Sequence, residues 1–196
     1  VYLSTTTSVP AGATPLANFV HSGTLGLGGT YNGTATFTLP NGLSGAYRLI
    51  VVTNATGAII EGAASANDTT ASAPFSIALA PYADLAVSNV TAPTQVVGDP
   101  VDLAVSWTVT NNGTGAGTVA TWTDRVVRST DDTYGNGDDL VIGNFTHVGL
   151  VNPGASYTSS QIILLPAATQ GHFHLLVRTD AGNAVFDANA SPVNVA

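Results

Sequence analysis

One loop of this sequence concentrates side chains that could bind a metal ion. Residues 131–139 read Asp-Asp-Thr-Tyr-Gly-Asn-Gly-Asp-Asp, which places four carboxylates and an amide beside two glycines that let the chain curl. Carboxylate and amide oxygens suit Ca²⁺, which takes about six to eight oxygen ligands. We therefore predict a calcium site formed by Asp131, Asp132, Asn136, Asp138 and Asp139, with a solvated acidic loop as the alternative.

The order of residues in this loop departs from that of an EF-hand. It has no glycine at the required position and no closing glutamate. A repeat described below gives an internal control, because residues 6–15 occupy the equivalent place and contain no carboxylate. Calcium is therefore not required by the fold, and no other cofactor is expected.

Histidines and catalytic motifs give little support for an enzyme. His172 and His174 could chelate a metal, but their counterparts in the repeat, Ala46 and Arg48, could not. The sequence has no Gly-x-Ser-x-Gly motif, and paired carboxylates suited to glycoside hydrolysis occur only in the acidic loop. We expect a protein without enzymatic activity.

The overall composition narrows the classes of partner. Only 8% of residues are charged, the formal net charge is -8, and the basic residues are four dispersed arginines. Nucleic acid is not an expected partner, because phosphate binding needs clustered Lys and Arg. No apolar run approaches the length of a membrane helix, so membrane insertion is not expected. The absence of cysteine excludes a disulfide framework and a thiolate metal site.

Internal repetition organises the chain. Residues 18–23, 39–40, 45–53 and 57–61 recur 126 residues later, and residues 1–5 recur 125 residues later. His21 and His147 fall on the same repeat position, which we expect to be structural. Tyr47 and Phe173 also coincide, and we expect them in the core.

The repeat predicts the domain boundaries. Residues 84–125 have no counterpart before Val1, so we predict an incomplete repeat at residues 1–83 and a complete repeat at residues 84–196. The incomplete repeat lacks its first strands, which leaves sheet edges and a core face uncovered. The sequence leaves open whether the same chain or a neighbouring subunit supplies those strands.

The pattern of apolar residues predicts strands throughout. Residues 102–110 alternate between apolar and polar side chains, and residues 36–39, 49–52 and 175–177 are short apolar or β-branched runs. About seven strands per complete domain, separated by Gly, Pro and Asn turns, indicate an all-β fold of tandem Ig-like Greek-key sandwiches. Trp107 and Trp122 are the expected core anchors.

The second repeat resembles a known family. Residues 84–87 (Asp-Leu-Ala-Val), 107–115 (Trp-Thr-Val-Thr-Asn-Asn-Gly-Thr-Gly) and 122–126 (Trp-Thr-Asp-Arg-Val) are similar to CARDB, the cell-adhesion-related domain found in bacteria. Residues 129–132, 154–157 and 171–177 extend the resemblance. It implies Ig-like sandwiches repeated in tandem in large secreted or surface-anchored proteins, and it assigns no catalytic residues.

These observations together favour a structural or adhesive role. We expect a repeat of a large secreted bacterial surface protein, at the cell surface, in a stalk, fibre or filament. Its expected partners are neighbouring copies or repeats of the same protein, with strands shared between subunits, and surface glycans. The alternative is a module that binds carbohydrate or another surface through its loops and is appended to an exported protein.

Overall fold

The computed structural model describes residues 1–187, and its regular structure is β-strand apart from the 3-10 helix Gly62–Asn67. No α-helix occurs among these residues, so the predicted all-β class is confirmed. None of the helical structure described is long and apolar enough to cross a membrane. The chain divides into two compact units, Val1–Leu79 (unit 1) and Ala80–Ala196 (unit 2).

Unit 1 contains one small antiparallel sheet. Its strands are β1 (Tyr2–Ser4), β2 (Gly45–Val52), β3 (Thr69–Ala71) and β4 (Phe75–Ile77). The strand β2 lies at the centre, with β1 on one edge and β3 followed by β4 on the other. Among the large apolar side chains described in unit 1, Ile50 alone is fully buried, so this sheet has little core of its own.

Unit 2 contains two three-stranded antiparallel sheets. Its strands are β5 (Leu85–Thr91), β6 (Val101–Asn111), β7 (Thr121–Ser129), β8 (Leu140–Val148), β9 (Ser156–Leu165) and β10 (His174–Arg178). The strand orders are β5-β6-β9 and β10-β7-β8. The chain therefore crosses between the sheets after β6, β8 and β9, which is consistent with a β-sandwich.

Residues from both sheets of unit 2 share one hydrophobic core. In β6 every second residue from Leu103 to Asn111 is buried, which confirms the predicted strand at residues 102–110. Trp107 is fully buried and Trp122 is 4% exposed, so both predicted anchors lie in the core. Complete burial of a large apolar side chain contributes about 2–3 kcal/mol, so these positions account for much of the stability of unit 2.

The pairing of β1 with β2 reproduces a pairing in unit 2. In unit 1, Tyr2 lies opposite Ile50. Their repeat counterparts, Val127 of β7 and Leu176 of β10, also lie opposite each other. The sequence repeat therefore corresponds to the same register in both units.

Two regions of unit 1 do not form the strands of their counterparts. Residues 14–22 correspond to β8 and residues 30–39 correspond to β9, but neither segment contains a strand. The predicted strand at residues 36–39 is therefore wrong for this chain. In unit 2, β9 pairs with β6, which has no counterpart in residues 1–83, so residues 30–39 lack the neighbour that would hold them extended.

One contact in unit 1 matches the pairing of β7 with β8 in unit 2. The Val1 amino group donates to the Ala17 carbonyl at 2.8 Å, and the Leu16 amide donates to the Val1 carbonyl at 2.8 Å. The counterparts of Val1 and Ala17 are Val126 and Gly143, which are paired in unit 2. The contact between Val1 and Ala17 therefore matches the register of β7 on β8.

The expectation that Tyr47 and Phe173 share a core position is wrong. Both side chains are only half-buried, and Phe173 lies just before β10 with the Arg128 guanidinium 4.5 Å from its ring centroid. A cation placed over a ring in this way covers the aromatic face at the surface. The apolar residue type at this repeat position therefore reflects side-chain packing at the surface rather than burial.

Candidate functional site

The acidic loop connects β7 to β8, and its carboxylates are engaged by groups of the loop itself. Asp138 Oδ2 accepts hydrogen bonds from the Ser129 hydroxyl at 2.9 Å and from the Thr130 amide and hydroxyl. Asp131 accepts from the Thr133 amide and from the Asn136 side-chain amide, both at 2.8 Å. The loop is thus folded by local Asx-type hydrogen bonds.

These bonds bear on the predicted calcium site. Asp139 accepts from the Gly135 amide through one oxygen, while Asp132 is exposed. Among residues 1–187 no group of three or more His, Cys, Asp or Glu side chains is placed to hold a metal ion. The five predicted ligands lie in one loop, and Asp131, Asp138 and Asp139 Oδ2 accept from separate internal donors, while Asp139 Oδ1 is buried without a hydrogen-bond partner among the described residues. Calcium binding by this loop stays a prediction.

Hydrogen bonding also sets the acidity of one loop residue. The Thr130 hydroxyl and amide stabilise the charged form of Asp138 and lower the pKa of its carboxyl to about 2. Asp138 therefore stays ionised over the physiological range and closes the turn after β7.

A second cluster of polar side chains lies inside unit 2 and centres on Asp124, which is 2% exposed. Its Oδ2 accepts from Trp107 Nε1 and from the Tyr157 hydroxyl, each at 2.8 Å. Its Oδ1 accepts from the Thr179 hydroxyl at 2.7 Å. A buried carboxylate is costly unless it is hydrogen-bonded, and here three donors from both sheets supply that compensation.

Aromatic rings surround this cluster, which we call the Asp124 cluster. Trp122 Nε1 donates to the Tyr157 hydroxyl at 3.1 Å and to the Thr179 hydroxyl at 3.2 Å. The His147 ring stacks on the Tyr157 ring, with 3.9 Å between centroids and 21° between planes. Burial raises the pKa of the Tyr157 hydroxyl, so this group remains a hydrogen-bond donor at all ordinary pH values.

The Asp124 cluster borders a groove of about 300 Å³ between the facing strands β8 and β9. Residues 145–147 and 157–161 line it, together with Asp124. The carboxylate is engaged by its three donors, and the nearest histidine is stacked on Tyr157. The arrangement holds the two sheets together.

Sequence reasoning did not single out Asp124 as a buried group. It entered only as part of the Trp-Thr-Asp segment that carries the family resemblance. A signal was available, because Asp124 alternates in phase with Trp122 and Val126 and must therefore face the core with them.

The stacked pair of this cluster recurs in unit 1. His21 and Tyr31 are the repeat counterparts of His147 and Tyr157, and their rings stack with 4.1 Å between centroids and 21° between planes. His21 and His147 share this ring contact, but His21 is exposed and lies in no strand, so the expected strand position holds for His147 alone.

Apolar side chains of unit 1 are more exposed to solvent than their repeat counterparts in unit 2. Leu25, Val51 and Ile59 are 51%, 41% and 65% exposed. Their repeat counterparts in unit 2 are all less than a tenth exposed: Val151, Val177 and Val185. The same positions therefore face a core in one unit and solvent in the other.

Comparison with known proteins adds no functional assignment. No protein-family model matches the sequence, and no curated protein matches it. Among solved structures, β-glucosidase 3B from Thermotoga neapolitana in complex with α-D-glucose is similar, with 16% sequence identity and a TM-score of 0.32. The similarity covers 55% of this chain and 14% of that chain, and it carries no argument about function.

Proposed function

We propose that this chain is a structural or adhesive repeat segment of a large secreted bacterial surface protein, part of an extracellular stalk, fibre or filament. One observation carries the proposal. Unit 1 keeps the β1–β2 register of the unit 2 pair but leaves exposed the apolar positions that unit 2 buries. Two units that share one register along one chain are the arrangement expected of a tandem array of repeats.

The strand order supports Ig-like sandwiches of the CARDB type. If β5 to β10 are taken as strands A, B, C, C′, E and F, the two sheets are ABE and C′CF. In unit 1, β1 and β2 then correspond to C and F. The strands β3 and β4 pair with the free edge of β2, which is the place of strand G. Unit 2 thus contains strands at six positions, A, B, C, C′, E and F. Unit 1 adds strands at the G position, which makes seven positions in all.

The outer edge of β1 is open to a further strand, either from preceding residues of the same chain or from a neighbouring subunit. A strand edge with free backbone groups is a template for another strand. Residues 30–39 correspond to β9 and need a β6-type neighbour to become a strand. Incoming strands would cover Leu25, Val51 and Ile59 and convert exposed apolar area into a shared core.

Composition supports an extracellular position without catalysis. The surface is poor in charge and the chain has neither lysine nor cysteine, which suits a long-lived exported protein. In this proposal the Asp124 cluster stabilises the sandwich, and the acidic loop is a turn that needs no metal. The partners are neighbouring repeats or copies of the same protein.

Labelling of intact cells tests the proposal. Antibodies against unit 2 are applied to intact and to lysed cells, and the native protein is imaged by electron microscopy. We expect labelling of intact cells and regularly spaced label along extended particles. Label that appears only after lysis, or on isolated compact particles, would contradict a surface stalk or fibre.

A further inference from the structure

We infer that Arg125 and Arg178 bind an oxyanion group, carboxylate or sulfate, of an acidic glycan on the outer face of the sheet β10-β7-β8. The two residues lie directly opposite each other on β7 and β10. Trp122 and Val126 of β7 belong to the core. Side chains alternate along a strand, so Arg125 faces the outer side of the sheet, and Arg178 opposite it does the same. The site lies in unit 2 alone and is independent of how the repeats are joined.

Both guanidinium groups are held by neutral amides rather than by carboxylates. Arg125 Nε donates to the Asn144 side-chain oxygen at 3.0 Å, and Arg178 Nη2 donates to the Asn183 side-chain oxygen at 2.6 Å. Among the described residues of unit 2 no Asp or Glu forms an ion pair with either arginine, and residues 188–196 contain neither Asp nor Glu. These four side chains form a row across the sheet, which we call the donor row.

The two acidic segments that border the donor row are engaged elsewhere. Asp180 lies two residues after Arg178 and is buried, and its oxygens accept from the Ala184 and Val185 amides at 2.9 Å. The acidic loop approaches through Tyr134, whose ring centroid lies 5.8 Å from the Arg178 guanidinium carbon. The hydrogen-bonded carboxylates of that loop take their donors from the loop itself and from the end of β7. The two arginines are therefore available to an external anion.

The arginine pair carries a cost that the fold does not require. Like charges directly opposite each other on neighbouring strands are destabilising. The repeat counterpart of Arg178 is Val52, which occupies the same strand position in unit 1 without a charge. A bound oxyanion would compensate both arginines, because a guanidinium presents paired donors in a plane that match the oxygens of a carboxylate or a similar group.

The surroundings of the pair favour a glycan over a peptide as the carrier of the anion. Each asparagine oxygen of the donor row already accepts from an arginine, so the exposed amide nitrogens remain as donors. Backbone N–H groups of a peptide would find few acceptors there, whereas glycan hydroxyl oxygens can accept and still turn their hydrogens toward water. The adjacent apolar residues on this face, Val127 and Leu176, are 1% and 6% exposed, so they offer no apolar anchor to a protein partner.

Titration with soluble polymers tests the site. Polygalacturonate, which carries carboxylates, and dextran sulfate are added to the 196-residue chain in a calorimeter at about 50 mM salt, where surface charges are weakly screened. Neutral dextran is the control for the sugar alone, and polyglutamate is the control for a carboxylate on a peptide. We expect saturable binding of at least one acidic glycan, no binding of neutral dextran, and binding of polyglutamate that is about tenfold weaker or more.

Matched substitutions separate the donor row from net charge and from folding. R125Q and R178Q each remove one guanidinium, and R48Q removes the same charge from unit 1 as the control. We expect R125Q and R178Q each to weaken binding about tenfold or more, and R48Q to leave it within about twofold. R178V installs the side chain of the unit 1 counterpart, so it should abolish binding while the urea midpoint of unit 2 stays equal or rises.

Each alternative result overturns the site in a distinct way. Absence of binding by both acidic glycans, or equal affinity in R125Q, R178Q and R48Q, would show that the arginine pair recognises no anion. Polyglutamate that binds as tightly as the acidic glycans would overturn the glycan as the ligand. Loss of binding together with a lower urea midpoint in both R178Q and R178V would assign the pair to folding instead.

Discussion

Trp107 and Asp124 join the two sheets of unit 2 through a hydrogen bond of 2.8 Å from the indole Nε1 to a carboxylate oxygen. Trp107 belongs to the sheet β5-β6-β9 and Asp124 to the sheet β10-β7-β8. Both residues are almost completely buried. The contact therefore fixes the sheets relative to each other by a specific bond as well as by apolar packing.

Substitution of Asp124 tests this bond. We expect D124A to lower the free energy of unfolding of unit 2 by about 3 kcal/mol or more, because three buried donors lose their acceptor. Tryptophan fluorescence during urea unfolding measures it, since both tryptophans lie in unit 2. The control is D102A, which changes an exposed residue of β6. Equal midpoints for D124A and D102A would show that the cluster is not stabilising.

Asn111 provides a second buried polar contact with a matched neighbour. Its side chain accepts from the Asp84 and Gly113 amides and donates to the Gly115 and Val151 carbonyls. We expect N111A to destabilise unit 2 by about 2–3 kcal/mol, because these backbone groups lose their partners. N112A, at the exposed next residue, should stay within about 0.5 kcal/mol of the parent in the same urea experiment. Similar losses in both variants would refute the role of Asn111.

The turn that contains these residues was predictable from sequence, but its purpose was not. Residues 111–113 read Asn-Asn-Gly, a turn signal at the end of a strand. The structure adds that a Cβ on Gly113 would lie 2.3 Å from the Tyr82 carbonyl oxygen, so glycine is required by close approach of the chain. That contact is long-range, and no local pattern contains it.

The difference between local sequence pattern and long-range contact also explains which other predictions were correct and which were wrong. The alternation in residues 102–110 and the burial of Trp107 followed from local pattern, and the repeat fixed the register of β1 on β2. Residues 36–39 have an equally good strand pattern and form no strand, since pairing depends on a neighbour distant in sequence. The Asp124 cluster combines residues from four strands and the turn after β10, and its members are recognisable together only in the folded unit.

Acid pH should loosen the turn after β7. The folded-state pKa of Asp138 is lowered to about 2, whereas an unfolded aspartate titrates near 3.9. The stabilisation is therefore present above about pH 4 and is lost as the pH falls toward 2. We expect the Thr130 amide resonance to shift with a midpoint near pH 2, and this transition to disappear in D138N. A midpoint near 4 would contradict the hydrogen bonds to Asp138.

Calcium addition separates the two interpretations of the acidic loop. Because Asp131, Asp138 and Asp139 already accept bonds from loop donors, we expect about 5 mM Ca²⁺, above the millimolar constants of weak extracellular sites, to shift Tm by less than about 1 °C. Mg²⁺ at the same concentration is the control. A larger rise with Ca²⁺ alone, abolished by D131N, would establish the calcium site instead.

The structure of the native, assembled protein at residue resolution tests the central claim most directly. If unit 1 is one repeat of a tandem array, residues 30–39 will form a strand paired with a segment outside residues 1–196, and Val51 and Ile59 will be buried. If residues 30–39 instead remain without a strand partner and Val51 and Ile59 remain exposed in the assembled protein, the account of unit 1 as an open repeat is contradicted.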